Sequence, residues 1–258
     1  MKMGIPICLL ACTAVLLGST ALAAQETITL QQGLNGYTGT ADSWLDESLT
    51  RDNYGGSSLL RIQWYNGRND VAVVRFELSG QIPPGARILW GTLWLWYVQA
   101  GSFQNDNAMT IKPFRLTASW DENVYDGQSG TGVSYRYRDI NELYEWTGGA
   151  EGGWWDKADD GNGTNRIKKT GGTPPAIEPQ NWVSFDVTPT VTQWHGGAAN
   201  YGFLVVATGF EGGGTTVYGL FSSRQEGLAS YRPKLVICYE RTVAVEERTW
   251  SAIKAQYR

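Results

Sequence analysis

The sequence predicts an all-β protein, a sandwich or barrel, and three observations carry that reading. Short runs rich in Val, Ile, Thr and aromatic residues recur along most of the chain. Clusters of Gly, Asn, Asp and Pro separate them, among them Asn66-Gly67-Arg68-Asn69-Asp70, Pro83-Pro84-Gly85 and Glu211-Gly212-Gly213-Gly214. The composition agrees, because 32 Gly beside 12 Trp and 13 Tyr describes tight turns joining strands that carry flat aromatic surface. The 258 residues fit one large β domain, a class that reaches about 200–250 residues without splitting.

Taken in order, the chain opens with Lys2, an apolar run from Ile5 to Leu17, and small residues ending in Ala21-Leu22-Ala23. This reads as an export signal over residues 1–23, cleaved after Ala23. The run is shorter than the ~20 residues a spanning helix needs, so no membrane span is expected in the mature chain. Cys12 lies within the apolar run, which speaks against its use as a lipid attachment site.

The strand-like segments that follow are Thr27 to Gln31, Ser57 to Tyr65, Val71 to Leu78, Arg87 to Val98 and Met109 to Leu116. Later ones are Trp182 to Val187, Tyr201 to Ala207, Thr215 to Phe221 and Arg232 to Tyr239. One helical turn is expected after Asp186, with Thr188 as cap, Pro189 in the first turn, Val191 and Trp194 facing the core, and Gly196-Gly197 as the stop. Between Asp121 and Gln180 the periodicity dissolves into Gly, Asp, Asn and Trp, a stretch longer than ordinary connections. Residues 24–240 are thus read as the sandwich domain and 241–258 as an appended tail, in which Trp250, Ile253 and Tyr257 have the spacing of one helical face.

A net charge of −4 argues against a nucleic-acid partner, which calls for a basic patch. Of the 3 Cys, two leave with the leader, so Cys238 has no internal disulfide partner and reads as a buried thiol.

Six segments stand out in order: Thr40 to Ile62 (TADSWLDESLTRDNYGGSSLLRI), Val71 to Val98 (VAVVRFELSGQIPPGARILWGTLWLWYV), Leu116 to Asn123, Trp182 to Trp194, Asn200 to Val206 and Ser230 to Tyr239. In this order they resemble the signature segments of the DNRLRE domains, a family related to the disaggregatase repeats that includes alginate-binding carbohydrate modules. The resemblance implies a jelly-roll-like β-sandwich that binds carbohydrate. The chain departs from the family's Ser-Ser-Glu, reading Ser222-Ser223-Arg224-Gln225-Glu226, and carries tryptophan at Trp90, Trp94 and Trp96, where the family is small or polar.

Period-two alternation in Arg87 to Val98 puts Leu89, Gly91, Leu93, Leu95 and Tyr97 on one face, and Trp90, Thr92, Trp94 and Trp96 on the other. The resemblance assigns the first face to the core, leaving the tryptophans as an outward ladder. Indoles at every second residue lie about 6.5–7 Å apart, a spacing on which sugar rings of an extended glycan can stack. Trp64 and Tyr65 point to opposite faces of a neighbouring strand, so one of them extends the surface. The alternative is that these rings form a second buried layer, with the ligand surface in the excursion at Trp146, Trp154 and Trp155.

Two sets of acidic residues are candidate calcium ligands: Asp42, Asp46 and Asp52, or Asp156, Asp159 and Asp160 in WWDKADDGNGTN. Neither has the EF-hand spacing, and a solvated turn also explains the second. The single histidine, His195, stands at a helix end, and no Ser-centred Gly elbow or HExxH is present. Asp121, Glu122, Asp139, Glu142 and Glu145 could supply a glycosidase pair, and Tyr135-Arg136-Tyr137-Arg138 has the residue types of a polysaccharide lyase, but neither is a constellation. The expectation is therefore an exported, non-catalytic module that binds an extended, acidic polysaccharide or cell-surface glycan. The alternatives are a structural or adhesive component of an extracellular assembly and, third, a lyase or hydrolase.

Overall fold

The strand-forming runs become an antiparallel all-β fold in the computed structural model, which describes residues 22–65, 70–101, 108–129, 131–139, 144–146, 161–169, 176–211 and 216–243. In chain order the strands are β1 (Leu22–Gln31), β2 (Thr40–Leu45), β3 (Asp52–Asn53), β4 (Leu59–Tyr65), β5 (Val71–Phe76), β6 (Arg87–Gly101), β7 (Ala108–Arg115) and β8 (Gln128–Ser129). They continue with β9 (Tyr137–Asp139), β10 (Tyr144–Glu145), β11 (Asn165–Lys168), β12 (Asn181–Asp186), β13 (Phe203–Glu211), β14 (Thr216–Ser222) and β15 (Lys234–Val243), with the helix α1 (Thr188–His195) between β12 and β13. Gln25–Arg241 form one compact unit, the sandwich. Residues 1–24 and 242–258 fall in a second, whose described part is the outer ends of β1 and β15. Of the expected export signal, residues 1–21 lie outside the described residues, as do residues 244–258 of the expected tail.

Two sheets face each other. The front sheet has the order β1-β15-β6-β14-β4, with β12 also on β6, and the back sheet the order β11-β7-β13-β5-β2. Register shows how β6 organises the front. Leu93 is opposite both Phe185 of β12 and Leu235 of β15, and Tyr97 is opposite both Asn181 of β12 and Phe221 of β14. A strand has only two edges, so β12 holds one while β14 and β15 lie end to end along the other. Residues 223–233 are the chain that leaves this edge and returns to it.

The main core lies between the sheets, where Leu93, Leu95, Tyr97, Val183, Phe185, Leu235 and Ile237 meet Val74, Phe76, Phe203 and Val205. Truncating a fully buried leucine such as Leu93 or Leu95 to alanine costs about 2–5 kcal/mol. A second core sits on the far face of the back sheet, where Trp120, Val133, Tyr135 and Trp146 cover Val71, Val73, Leu204 and Val206. Burial on both faces explains why VAVV and FLVV are continuous apolar runs, whereas β6 alternates. Val133, Tyr135 and Trp146 of the excursion thus cover the back sheet, whereas its residues 165–168 form the edge strand β11 of that sheet.

This second core corrects one expectation. Trp146 is buried, and its indole N–H donates to the Ser134 carbonyl at 3.0 Å, so it offers no surface to a ligand. Trp154 and Trp155 lie outside the described residues, as do Asp156, Asp159 and Asp160. The first calcium set does not converge either. Asp42 faces Glu122 and Arg224, Asp46 accepts from the Ser48 and Leu49 amides at 2.7 and 3.1 Å, and Asp52 pairs with Ser129. Among the described residues no three acidic, His or Cys side chains gather to hold a metal ion. The reason is geometric: the three aspartates belong to a strand, a turn and a separate ribbon.

The expected helix forms with Val191 and Trp194 buried, but Thr188 does not cap it. The Thr188 hydroxyl donates to Asp186 at 2.6 Å and accepts the Gly91 amide at 2.9 Å, tying the helix to β6. Strand β2 was not legible from apolar alternation, because its buried positions include Thr40, Asp42 and Ser43.

Candidate functional site

The back sheet is covered on both faces, so the outer face of the front sheet is where side chains reach solvent. Its centre is β6, where alternation holds as expected: Gly91, Leu93, Leu95 and Tyr97 are buried, while Trp90, Trp94 and Trp96 point outward. The three indoles are not equivalent. Trp90 is 40% exposed, and Trp94 and Trp96 are half-buried.

Neighbouring strands explain the difference. On β12, Trp182 pairs with Trp96 in register and packs edge-on to both Trp96 (5.4 Å between ring centres) and Trp94 (6.4 Å). From the 223–233 segment, Tyr231 stacks flat on Trp96 at 4.4 Å with 18° between the planes. On β15, Lys234 stands opposite Trp94 in register, with its ammonium 4.0 Å from the centre of the Trp182 ring and 5.4 Å from that of Trp94. The expected ladder is therefore a graded surface, open at Trp90, partly open at Trp94, and closed over Trp96.

Trp90, Thr92, Trp94, Lys234 and Val236 line an open groove of about 420 Å³. Lys234 makes no ion pair among the described residues, and desolvation beside the indoles lowers its pKa. An ammonium held over two ring faces gains from a carboxylate or sulfate brought into the groove, since the anion replaces lost hydration. The walls suit the apolar face of a sugar ring, and Thr92 adds a hydroxyl.

Of the two aromatic residues named on β4, Tyr65 faces outward and is 37% exposed, whereas Trp64 packs against the main core. Sequence reasoning missed Trp182 and Lys234, although alternation in β12 and β15 could have placed both on this face. Tyr231 left no such signal, because it sits in a single 3-10 turn outside any strand.

Behind this face, the 223–233 segment is anchored to a buried acid pair. Asp42 is 1% exposed, its amide donates to Glu122 Oε1 at 2.9 Å, and its Oδ2 accepts the Arg224 amide at 2.7 Å. The Arg224 guanidinium pairs with Glu122 through Nε, and Asp42 Oδ1 has no hydrogen-bond partner. Desolvation, with Glu122 beside it, pushes the Asp42 carboxyl well above its ordinary range. Desolvation likewise raises Glu122, opposed by its bonds to Arg224 and Asp42. The residue that departs from Ser-Ser-Glu, Arg224, is thus the cation that, among the described residues, pairs with these acids, while Glu226 accepts the Leu228 amide in the turn.

Of the residues raised for catalysis, Glu142 lies outside the described residues. Glu122 is tied to Arg224, and Tyr135 and Tyr137 are buried, with Arg51 and Arg136 lying over the Tyr137 ring. His195 borders a cleft of about 340 Å³ at the end of α1 with Glu77, Ser79 and Asn200, away from the tryptophan face. No protein-family model matches the chain and no curated protein matches it in sequence, so the likeness to the DNRLRE domains is carried by the ordered segments alone and the chemistry of this face by its geometry.

Proposed function

We propose that the protein is an exported, non-catalytic carbohydrate-binding module that holds an extended acidic polysaccharide on the outer face of its front sheet. One observation carries the reading: the groove pairs the exposed Trp90 and half-exposed Trp94 with the ammonium of Lys234, which has no ion-pair partner among the described residues. Indole faces supply area for the C–H surface of sugar rings, and the ammonium supplies charge to a carboxylate. The groove is open, which suits a chain lying across it better than a small molecule enclosed within. The leader-like N-terminus supports export, and the ordered DNRLRE-like segments support carbohydrate as the ligand class.

Affinity electrophoresis through gels containing alginate, pectate, xylan or hydroxyethylcellulose tests this. Retardation in the acidic gels is expected, with Trp90→Ala and Trp94→Ala each weakening it about tenfold while circular dichroism stays unchanged. Trp96 is the wrong residue to replace, because its ring also holds Tyr231 and Trp182 in place. Migration unaffected by every polysaccharide refutes the reading.

A further inference from the structure

The front sheet carries a second aromatic and cationic groove on the same outer face, at the other end of β14. Trp44, Ser57, Leu59, Arg61, Tyr218 and Leu220 line an open volume of about 290 Å³. That it shares the face follows from register. Phe221 and Tyr97 are opposite one another and both buried, and the next pair is Leu220 with Gln99, so β6 has one extra residue, Val98, at a bulge. The bulge turns Gln99 and Gly101 outward, and β14 presents Leu220 and Tyr218 beside them. Gly101 is required there, because a Cβ on it would sit 1.9 Å from the Tyr218 ring, which lies across this position as a flat floor.

The cation of this groove is Arg61. Its guanidinium carbon lies 4.7 Å from the centre of the Tyr218 ring and 5.8 Å from that of Trp44. Nε pairs with Asp70 at 3.1 Å and Nη2 donates to Gln63, which fixes the guanidinium plane. Nη1 has no protein partner among the described residues and is free to donate to an anion. Arg61 is level with Leu220 and hence with Gln99, whereas Lys234 is level with Trp94, one strand nearer β6. Five residues along the sheet and one strand across put the two cations about 17 Å apart at the backbone. Trp96 with Tyr231 stacked on it lies between.

From this geometry we infer that the Arg61 and Tyr218 groove is a second subsite for the same polysaccharide, so that one chain of uronic acid residues is gripped at both cations and bound according to its length. The inference rests on the function proposed above. A short oligomer occupies only the Lys234 groove. A longer one gains the second contact as an intramolecular event, which raises affinity without changing either subsite.

Isothermal titration with oligogalacturonates and oligomannuronates, as dimers and as octamers, tests it. The unaltered protein is expected to bind octamers at least ~10-fold more tightly than dimers. Tyr218→Ala is expected to abolish that gain and leave dimer binding as it was, whereas Trp94→Ala weakens both. Leu59→Glu, which places a like charge in the second groove without emptying the floor beside Gly101, is expected to give the Tyr218→Ala pattern with the thermal midpoint retained. Dimer binding without a gain on lengthening, or octamer binding unchanged in both second-groove variants, overturns the second subsite alone. No binding of any oligomer by the unaltered protein overturns it together with the reading on which it rests.

Discussion

Replacing Arg224 by Met removes the one cation that, among the described residues, pairs with the buried carboxylates Asp42 and Glu122, while keeping most of the side chain's volume. Asp42 and Glu122 are 1% and 8% exposed, and Asp42 Oδ1 already lacks a partner, so neither carboxylate can recover its lost bonds from water. Breaking a buried ion pair by deleting one partner costs about 3–5 kcal/mol near neutral pH. The cost depends on ionisation, and the sign is fixed. Both carboxyls are held above their ordinary pKa, so their contribution to stability is present below about pH 4 and is lost as pH rises through the folded values. Arg224→Met raises those values further by taking away the cation that opposed desolvation. Urea denaturation of both proteins should therefore show a large gap at about pH 7 and a smaller one at about pH 4.5, because carboxyls held above their ordinary range carry more protons at the lower pH. Adding Asp42→Asn to the variant should restore a large part of the loss at neutral pH. A gap below about 1 kcal/mol, or one equal at both pH values, refutes the account of a charge-compensated acid pair.

Gly101→Ala pushes a methyl group into the Tyr218 ring and should destabilise the fold by about 1–3 kcal/mol by denaturant titration, with a rise in mobility of the second groove. Burial, opposed by Arg61 and reinforced by Asp46, raises the Asp70 carboxyl to about 6. Its contribution is full below about pH 4 and falls as pH rises through about 6, a loss of about 3 kcal/mol at complete ionisation. Asp70→Asn, followed by thermal midpoint across that window, should flatten this slope, and an unchanged slope shows that Asp70 is not its source.

The sandwich was legible in the sequence because a strand writes its two faces into alternate residues, and β6 does so over most of its length. The same rule put Trp90, Trp94 and Trp96 on one face and Leu93, Leu95 and Tyr97 on the other, while which of the two is buried came from the resemblance and then from the packing. Helix α1 was equally local, set by Pro189, Val191, Trp194 and the glycines that follow. Three things were not local. Trp96 is covered by Tyr231, a residue 135 positions away (231 less 96) in a turn without periodicity, so no pattern around either residue announces the contact. The outward face continues past Tyr97 only because the bulge at Val98 reverses the alternation, a property of pairing with β14. The Asp42, Glu122 and Arg224 cluster joins residues 80 and 182 apart from Asp42, and the sequence offered them separately, as a calcium candidate, a glycosidase acid and a departure from the family pattern. Periodicity reports which way a side chain points relative to its own backbone, whereas only pairing and packing of distant segments decide what stands in front of it.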